Sequence, residues 1–292
     1  MVIHVNSGRE ALNNEWRLPG ECNLNDGVTS YANNMIPIGA VDCNAGKLFI
    51  TANGSSYYNH YSEIKGYDGS LHAVINDYIV NMRVNTHMLI IGANSKAYHH
   101  VMHGLLASMR LSSHYEDNMV KYEVIHKGDD YKSIMHDVMS DYENRMNSLS
   151  DNENGWYDKH SDGSDDLFII IDDYNGIIND LNKADVESEG YGSIAFKADL
   201  SVLLSEAGNV GIHVIIGCVK NMDVIDSLWF GFLKARLTVG QVAPNVSKAV
   251  VHNNAGGVVH SEYTGVLMTS DDTSGCVLIR VDTSDEQEDY AY

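Results

Sequence analysis

The segment from Gly92 to His99 has residue types and spacing that bear on phosphate binding. A P-loop reads G-x-x-x-x-G-K-[ST] after a strand; its amides cradle the phosphates, its lysine neutralises them and its hydroxyl holds Mg²⁺. An apolar run delivers Gly92, but Ala97, Tyr98 and His99 take the positions of the second glycine, the lysine and the hydroxyl. The sequence therefore predicts a degenerate P-loop, and an ordinary turn between a strand and a helix is the alternative. The predicted loop consists of Gly92, Ala93, Asn94, Ser95, Lys96, Ala97, Tyr98 and His99.

Two neighbouring acids, Asp172 and Asp173, follow the apolar run Leu167–Ile171. In an ATPase the first acid after such a strand holds Mg²⁺, and the second orients the attacking water. Asp172 is thus the candidate Mg²⁺ ligand. Asp173 is shorter than the usual glutamate, which places its carboxylate too far back for a base, so no residue is assigned as catalytic. The alternative is that the two acids only end a buried strand.

Two further groups of side chains could bind a metal ion or a partner. His99 and His103 are four residues apart on a predicted helix, a spacing that can place two imidazoles on one metal, but no third ligand is identifiable. We therefore expect helix-packing or surface histidines. Trp229 and Phe230 are either an exposed anchor for a partner peptide or, as is commoner in a soluble domain, part of the core.

Short apolar runs alternate with helical patterns along most of the chain. Continuous apolar runs indicate strands that are buried on both faces, and helices between them indicate crossover connections, so the sheet should be largely parallel. Ligands of such three-layer α/β sheets lie at the carboxyl ends of the strands, which directs attention to Gly92, Asp172 and Gly217. Residues 52–70 are predicted to be a loop, and Leu71 to Val80 either a strand or a helix. The predicted strands are Ile36–Val41, Lys47–Ala52, Met88–Ile91, Tyr122–Ile125, Leu167–Ile171, Ile212–Ile216, Leu237–Val239 and Val277–Val281, and the predicted helices cover Val101–Met109, Tyr131–Met146 and Ile194–Glu206.

Composition excludes several classes of protein. The formal net charge of −21 would repel a polyanion, so nucleic acid is not expected as a partner. The four cysteines are far apart, which argues against a zinc ribbon or a disulfide scaffold. No apolar run approaches the roughly 20 residues that span a bilayer, so this chain is not expected to insert into a membrane. We expect a cytosolic domain, which can still be a fragment of a membrane-anchored parent.

Several segments, in order, resemble the FtsK/SpoIIIE superfamily and, more narrowly, the ATPase domains of the EssC/EccC-type ATPase of type VII secretion. Asn85–Gly92 (NTHMLIIG) is similar to the family's strand into the P-loop, and LFIIIDDY to its Walker B strand. Glu206–Asn221 is similar to the "AGIHLVLATQRP" strand and sensor, with Lys220 in the sensor. The other similar segments are Arg17–Asp26 with MIPIGAVD, the helix Tyr131–Met146, FLKARLTVG and GVLMTSDDTSGCVLIRV.

This resemblance implies a RecA-like P-loop NTPase fold over residues 36–284, after a lead-in at 1–35 and before an acidic tail at 285–292. The departures concentrate at the nucleotide site, which implies a pseudo-ATPase that binds ATP and Mg²⁺ weakly at most. Residues 53–84 do not align with the family.

The resemblance also implies a cytoplasmic domain of a membrane-anchored secretion ATPase. Its expected partners are adjacent ATPase domains of the same motor and a secreted WXG100-type substrate or its C-terminal signal. The alternatives are an active translocation motor domain, which would need Lys96 or a neighbouring lysine to reach the γ-phosphate, and an inert structural element of a ring.

Overall fold

One ten-stranded sheet forms the centre of the protein in the computed structural model. The described residues are 35–41, 47–51, 61–65, 71–76, 78–112, 121–150, 155–160, 165–186, 190–220, 225–259, 261–270 and 276–281. Residues 1–34 of the predicted lead-in and the whole predicted acidic tail at 285–292 lie outside them.

The strands and helices alternate as the apolar runs predict. The strands are β1 Met35–Val41, β2 Lys47–Thr51, β3 Tyr61–Lys65, β4 Leu71–Asn76, β5 Tyr78–Asn81, β6 Met88–Gly92, β7 Lys121–Ile125, β8 Leu167–Ile171, β9 Ile212–Val219, β10 Ala235–Val239, β11 Thr264–Met268 and β12 Cys276–Val281. The helices are α1 Met82–Asn85, α2 Ser95–Ser112, α3 Tyr131–Ser150, α4 Trp156–Lys159, α5 Tyr174–Val186, α6 Ser193–Glu206 and α7 Pro244–Val251. Short 3-10 turns lie at Ala207–Val210, Ser227–Gly231 and Ala255–Gly257.

The sheet has a parallel half and a mainly antiparallel half, in the order β5-β2-β1-β12-β11-β10-β6-β9-β8-β7. The five strands from β10 to β7 are all parallel, so their carboxyl ends lie at one edge. Strands β11, β12, β1 and β2 continue the sheet by antiparallel pairing, and β5 pairs parallel to β2. The strands β1, β2 and β12 of this extension were predicted from the sequence, but β11 and the antiparallel pairing with the parallel half were not.

Alternate residues of the central strands are buried in two different cores. On β6, Leu89 and Ile91 join the core that contains helices α3, α5 and α6. Met88 and Ile90 join the core that contains α2, on the other face of the sheet. Burial of both faces explains the uninterrupted apolar runs. The predicted three-layer α/β fold with a largely parallel sheet is confirmed.

Some elements differ from the sequence predictions. The segment 52–70 is not all loop, because Tyr61–Lys65 forms β3 and pairs with β4. Leu71 to Val80 forms strands rather than a helix. Trp229 belongs to the core: its side chain is 3% exposed and its indole N–H donates to Ser201 Oγ at 3.0 Å. Among the described residues, no helix is both long and apolar enough to cross a membrane.

Candidate functional site

The turn between β6 and α2 is two residues long, which is shorter than a P-loop. Strand β6 ends at Gly92 and helix α2 begins at Ser95, so only Ala93 and Asn94 lie between them. The Asn94 side chain caps the helix, because its Oδ1 accepts a hydrogen bond from the Ala97 N–H at 3.0 Å. The helix thus starts early, and a side chain of the protein uses an amide that a phosphate-binding loop would offer to its ligand.

Tyr98 connects this turn to the two acids at the end of β8. Its side chain is fully buried, and its hydroxyl donates to Asp172 Oδ1 at 2.6 Å. The hydroxyl oxygen of Tyr98 also accepts a hydrogen bond from the Asp173 backbone N–H at 2.6 Å. The residue in the position of the P-loop lysine therefore contacts the residue in the position of the Mg²⁺ ligand.

Two glycines make room for Tyr98, Gly92 of β6 for its backbone and Cβ and Gly217 of β9 for its ring. A Cβ atom at Gly92 would lie 2.5 Å from the Cβ of Tyr98. A Cβ atom at Gly217 would overlap the tyrosine hydroxyl and lie 2.9 Å from Cε2. Real Cβ atoms do not approach other heavy atoms so closely, so the backbone of α2 at position 98 requires glycine at 92, and the tyrosine ring requires glycine at 217.

Both carboxylate oxygens of Asp172 have partners within the protein. Oδ1 accepts from Tyr98, and Oδ2 lies 3.0 Å from Nδ1 of His126, the residue that follows β7. Burial, and then the Asp172 charge, raise the pKa of the Tyr98 phenol, which keeps its proton on the hydroxyl that donates to the carboxylate. Each oxygen of Asp172 therefore has one partner within the protein, and the side chain is 14% exposed.

Asp173 has a backbone conformation that few side chains adopt. Its φ is 56°, in the left-handed region. Its carboxylate lies over Gly176, in the first turn of α5, where a Cβ atom would overlap Oδ2. The second acid is therefore directed toward the start of α5.

Lys96 pairs with an acid that the sequence analysis missed. Its Nζ lies 2.8 Å from Glu262 Oε2, just before β11, and the Asn94 side chain also reaches Glu262 at 3.4 Å. The hydrogen bond to Lys96 lowers the pKa of the Glu262 carboxyl, and the same contact raises the pKa of Lys96. Both side chains are substantially exposed, so the pair lies at the surface.

The remaining predicted site residues lie nearby without forming a ligand set. Lys220 follows β9 with a φ of 60°, and its N–H donates to the carbonyl of Gly92 at 2.8 Å while its side chain is exposed. His99 and His103 share one side of α2, with ring centroids 6.1 Å apart. In the part of the chain that the structure describes, no group of three or more His, Cys, Asp or Glu side chains could hold a metal ion.

Solved structures with a similar fold are ATPase domains. The conjugation coupling protein TcpA of pCW3, in a monomer form with ATPγS, is 15% identical, with a TM-score of 0.55 over 77% of this chain and 66% of that chain. The cytoplasmic domain of the type VII secretion ATPase EccC from Thermomonospora curvata is 12% identical, with a TM-score of 0.56 over 87% of this chain and 29% of that chain. The cytoplasmic domain of EssC is 12% identical, with a TM-score of 0.53 over 91% of this chain and 47% of that chain.

These likenesses confirm the predicted RecA-like P-loop ATPase fold. The chain spans less than half the length of the EccC and EssC structures that it matches. No protein-family model and no curated protein sequence matches the chain.

Proposed function

We propose that this chain is a non-hydrolysing module of ATPase fold in a type VII protein secretion motor, and that it works by binding. The observation that carries the proposal is the Tyr98 side chain, which is held between Gly92 and Gly217 and hydrogen-bonded to Asp172. A tyrosine side chain thus fills the position where an active site would hold a lysine beside its phosphates.

Loss of hydrolysis follows from how phosphoryl transfer is catalysed. Catalysis depends on positioning and on stabilising negative charge, with little covalent chemistry for the protein to perform. The short turn offers few free amides, Tyr98 supplies no positive charge, and Lys96 is paired with Glu262 at the surface. ATP and Mg²⁺ would therefore bind weakly at most, through Asp172 and the turn from Gly92 to His99.

A role in a secretion motor has separate support. The order of family-like segments along the sequence and the fold shared with EccC and EssC both favour it. We infer partners in adjacent ATPase domains of the same motor and in the C-terminal signal of a WXG100-type substrate. The chain would then be part of the cytoplasmic region of a membrane-anchored ATPase. Docking of a partner would bias the neighbouring active domain if one of its arrangements binds the partner more tightly.

Calorimetric titration of the chain with ATP and Mg²⁺, together with a phosphate-release assay on the same preparation, tests the loss of hydrolysis. We expect no saturable heat above the buffer control and no turnover. Lys96→Ala is the matched variant, and it should change neither result. Binding with turnover that disappears in Asp172→Ala would overturn the proposal in favour of an active motor domain.

A second titration tests the binding role. A synthetic peptide with the C-terminal signal of a WXG100-type protein is titrated into the chain, with a scrambled peptide as the control, and a purified neighbouring ATPase domain is titrated in a parallel arm. Saturable binding of either the signal peptide or the domain supports the proposal. Absence of both would leave the chain as an inert structural element and would contradict a binding role.

A further inference from the structure

A buried polar cluster lies at the amino edge of the parallel strands, opposite the candidate nucleotide site. Its centre is Asp166, immediately before β8, whose side chain has no solvent exposure. Arg83 of α1 approaches Asp166 Oδ2 with Nη2 at 3.8 Å, and His213 of β9 approaches it with Nε2 at 3.9 Å. Both separations exceed a hydrogen bond.

Several atoms of this cluster have no hydrogen-bond partner among the residues that the structure describes. They are both carboxylate oxygens of Asp166, Nε of Arg83, Nε2 of His213 and the indole Nε1 of Trp156. The carboxylate and the indole both lie next to Gly211, where a Cβ atom would overlap Asp166 Oδ1 and lie 2.5 Å from Trp156 Nε1. An unpaired buried polar group is costly, so five such atoms in one place favour a further hydrogen-bonding partner.

The hydrogen bonds of the two buried histidines determine which ring nitrogens carry protons. His213 Nδ1 lies 2.9 Å from the Thr86 carbonyl, which only accepts, so Nδ1 carries a proton. In the neutral ring, Nε2 then presents a lone pair to the Asp166 carboxylate. His87 Nδ1 accepts the Val214 N–H at 2.9 Å, which requires a lone pair on that nitrogen. Burial, and then His213, lower the pKa of His87 to about 3, which keeps the lone pair on the Nδ1 that accepts from Val214.

The backbone next to the cluster is strained in a way that fixes this arrangement. Thr86 has φ 55° and ψ −65°, and the His87 N–H donates to the Asn85 carbonyl at 2.6 Å across it. This is a γ-turn of the rare, strained kind, and a β-branched residue adopts it only where its surroundings hold it. The strained turn aims the Thr86 carbonyl at His213 and thereby sets which nitrogen faces Asp166.

We propose that one ordered water molecule is bound between Asp166, His213, Arg83 and Trp156. Water donates twice and accepts twice, and the cluster offers two acceptors, Asp166 Oδ2 and His213 Nε2, and two donors, Arg83 Nη2 and Trp156 Nε1. Polar groups that face each other beyond 3.5 Å are commonly bridged in this way. The water fastens α4, which carries Trp156, to the amino ends of β8 and β9.

Two-dimensional NMR of the ¹⁵N-labelled full chain tests this site. The Trp156 indole proton should show a dipolar cross-peak to water in both the rotating and the laboratory frame, with the laboratory-frame sign of a long-lived molecule. The Val214 amide, which is bonded to His87, is the internal control and should show none. The side-chain ¹⁵N shifts of His213 should report a neutral ring protonated on Nδ1. Absence of the water cross-peak, or an imidazolium His213 in direct contact with Asp166, would overturn the proposal.

A pair of variants makes the test specific to Asp166. Asp166→Leu removes the acceptor and should abolish the water cross-peak of Trp156. Asp165→Asn changes the neighbouring carboxylate, which pairs with Lys121 and His160 instead, and should leave the cross-peak in place. A water cross-peak that persists in Asp166→Leu would contradict the assignment. The wild-type measurement stands independently of whether the leucine variant folds.

Discussion

The acidic side chains at the two edges of the parallel strands differ in their hydrogen bonding. At the carboxyl edge, Asp172 has one partner for each oxygen, Tyr98 and His126. At the amino edge, neither oxygen of Asp166 has a hydrogen-bond partner among the described residues, and Arg83 and His213 approach it only to 3.8 Å and 3.9 Å. A tyrosine side chain thus bonds the acid at the carboxyl edge, while the acid at the opposite edge is the one for which we propose a bound water. The position of a carboxylate at a strand end therefore does not show whether it binds a ligand, because this depends on its hydrogen-bond partners within the protein.

The largest expected effect comes from removing the side chain that closes the carboxyl edge. Tyr98→Ala should lower the free energy of unfolding by about 3 to 5 kcal/mol, because it leaves a cavity between β6 and β9. Tyr98→Phe keeps the ring and should cost about 1 to 3 kcal/mol, because Asp172 and the Asp173 amide lose their shared partner. Urea unfolding measures both. Equal losses in the two variants would show that the ring contributes nothing beyond its hydroxyl.

The matching change at the amino edge is Arg83→Met. Arg83 donates to the carbonyls of Tyr157 and His160 as well as approaching Asp166. Its removal should cost about 3 kcal/mol in urea unfolding, because it leaves a buried carboxylate uncompensated. The loss should shrink when Asp166→Asn is already present. Equal losses in both backgrounds would mean that Arg83 acts through the two carbonyls alone.

A smaller effect tests the fit between strand and tyrosine. Gly217→Ala should cost about 1 to 3 kcal/mol, because the new methyl group overlaps the Tyr98 ring. In a Tyr98→Ala background the methyl group has room, so the same substitution should cost much less. A double-mutant cycle in urea measures the coupling. Additive effects would show that the ring and the strand do not contact in solution.

The last prediction is a pH dependence that belongs to the amino edge and is small for each pH unit. The pKa of His87 is lowered to about 3 in the folded chain, whereas the unfolded chain binds this proton near pH 6.5. Stability from this group is therefore fully present above pH 6.5 and is lost as pH falls toward 3, by at most about 1.4 kcal/mol per pH unit. His87→Asn, whose side-chain oxygen can also accept from Val214, should reduce the loss of stability at acid pH, measured as the free energy of unfolding at each pH. If the loss is unchanged in this variant, groups other than His87 cause it.

The sequence predicted the parallel half of the fold because its strands are buried on both faces and therefore read as uninterrupted apolar runs. Gly92 and Asp172 lie at the carboxyl edge for the same reason, whereas Gly217 lies two residues before the end of β9. In the antiparallel extension, β1, β2 and β12 were predicted as strands, but β11, with the sequence TGVLM, was missed because it is short and lies beside turn residues. Helix α5 was missed because Gly176 and several asparagines interrupt its apolar pattern.

The site was harder to predict than the fold, because its contacts join residues distant in sequence. Position 98 was identified as a departure from the lysine of a P-loop, but only the structure shows that the tyrosine bonds Asp172, 74 residues away. No motif in the sequence pointed to His126 or Glu262. Glycine at 217, inside a strand of bulky apolar residues, was the one local signal of a close approach.

The two-residue turn between β6 and α2 also limits how this sequence could change. A lysine at position 98 would enter a space shaped for an uncharged ring and would still lack a loop of free amides in front of it. On the proposed loss of hydrolysis, no single substitution would restore a phosphate site, because the change requires inserted residues before Ser95 together with a replacement at position 98. The proposal thus implies that point mutation alone would not readily reverse the loss.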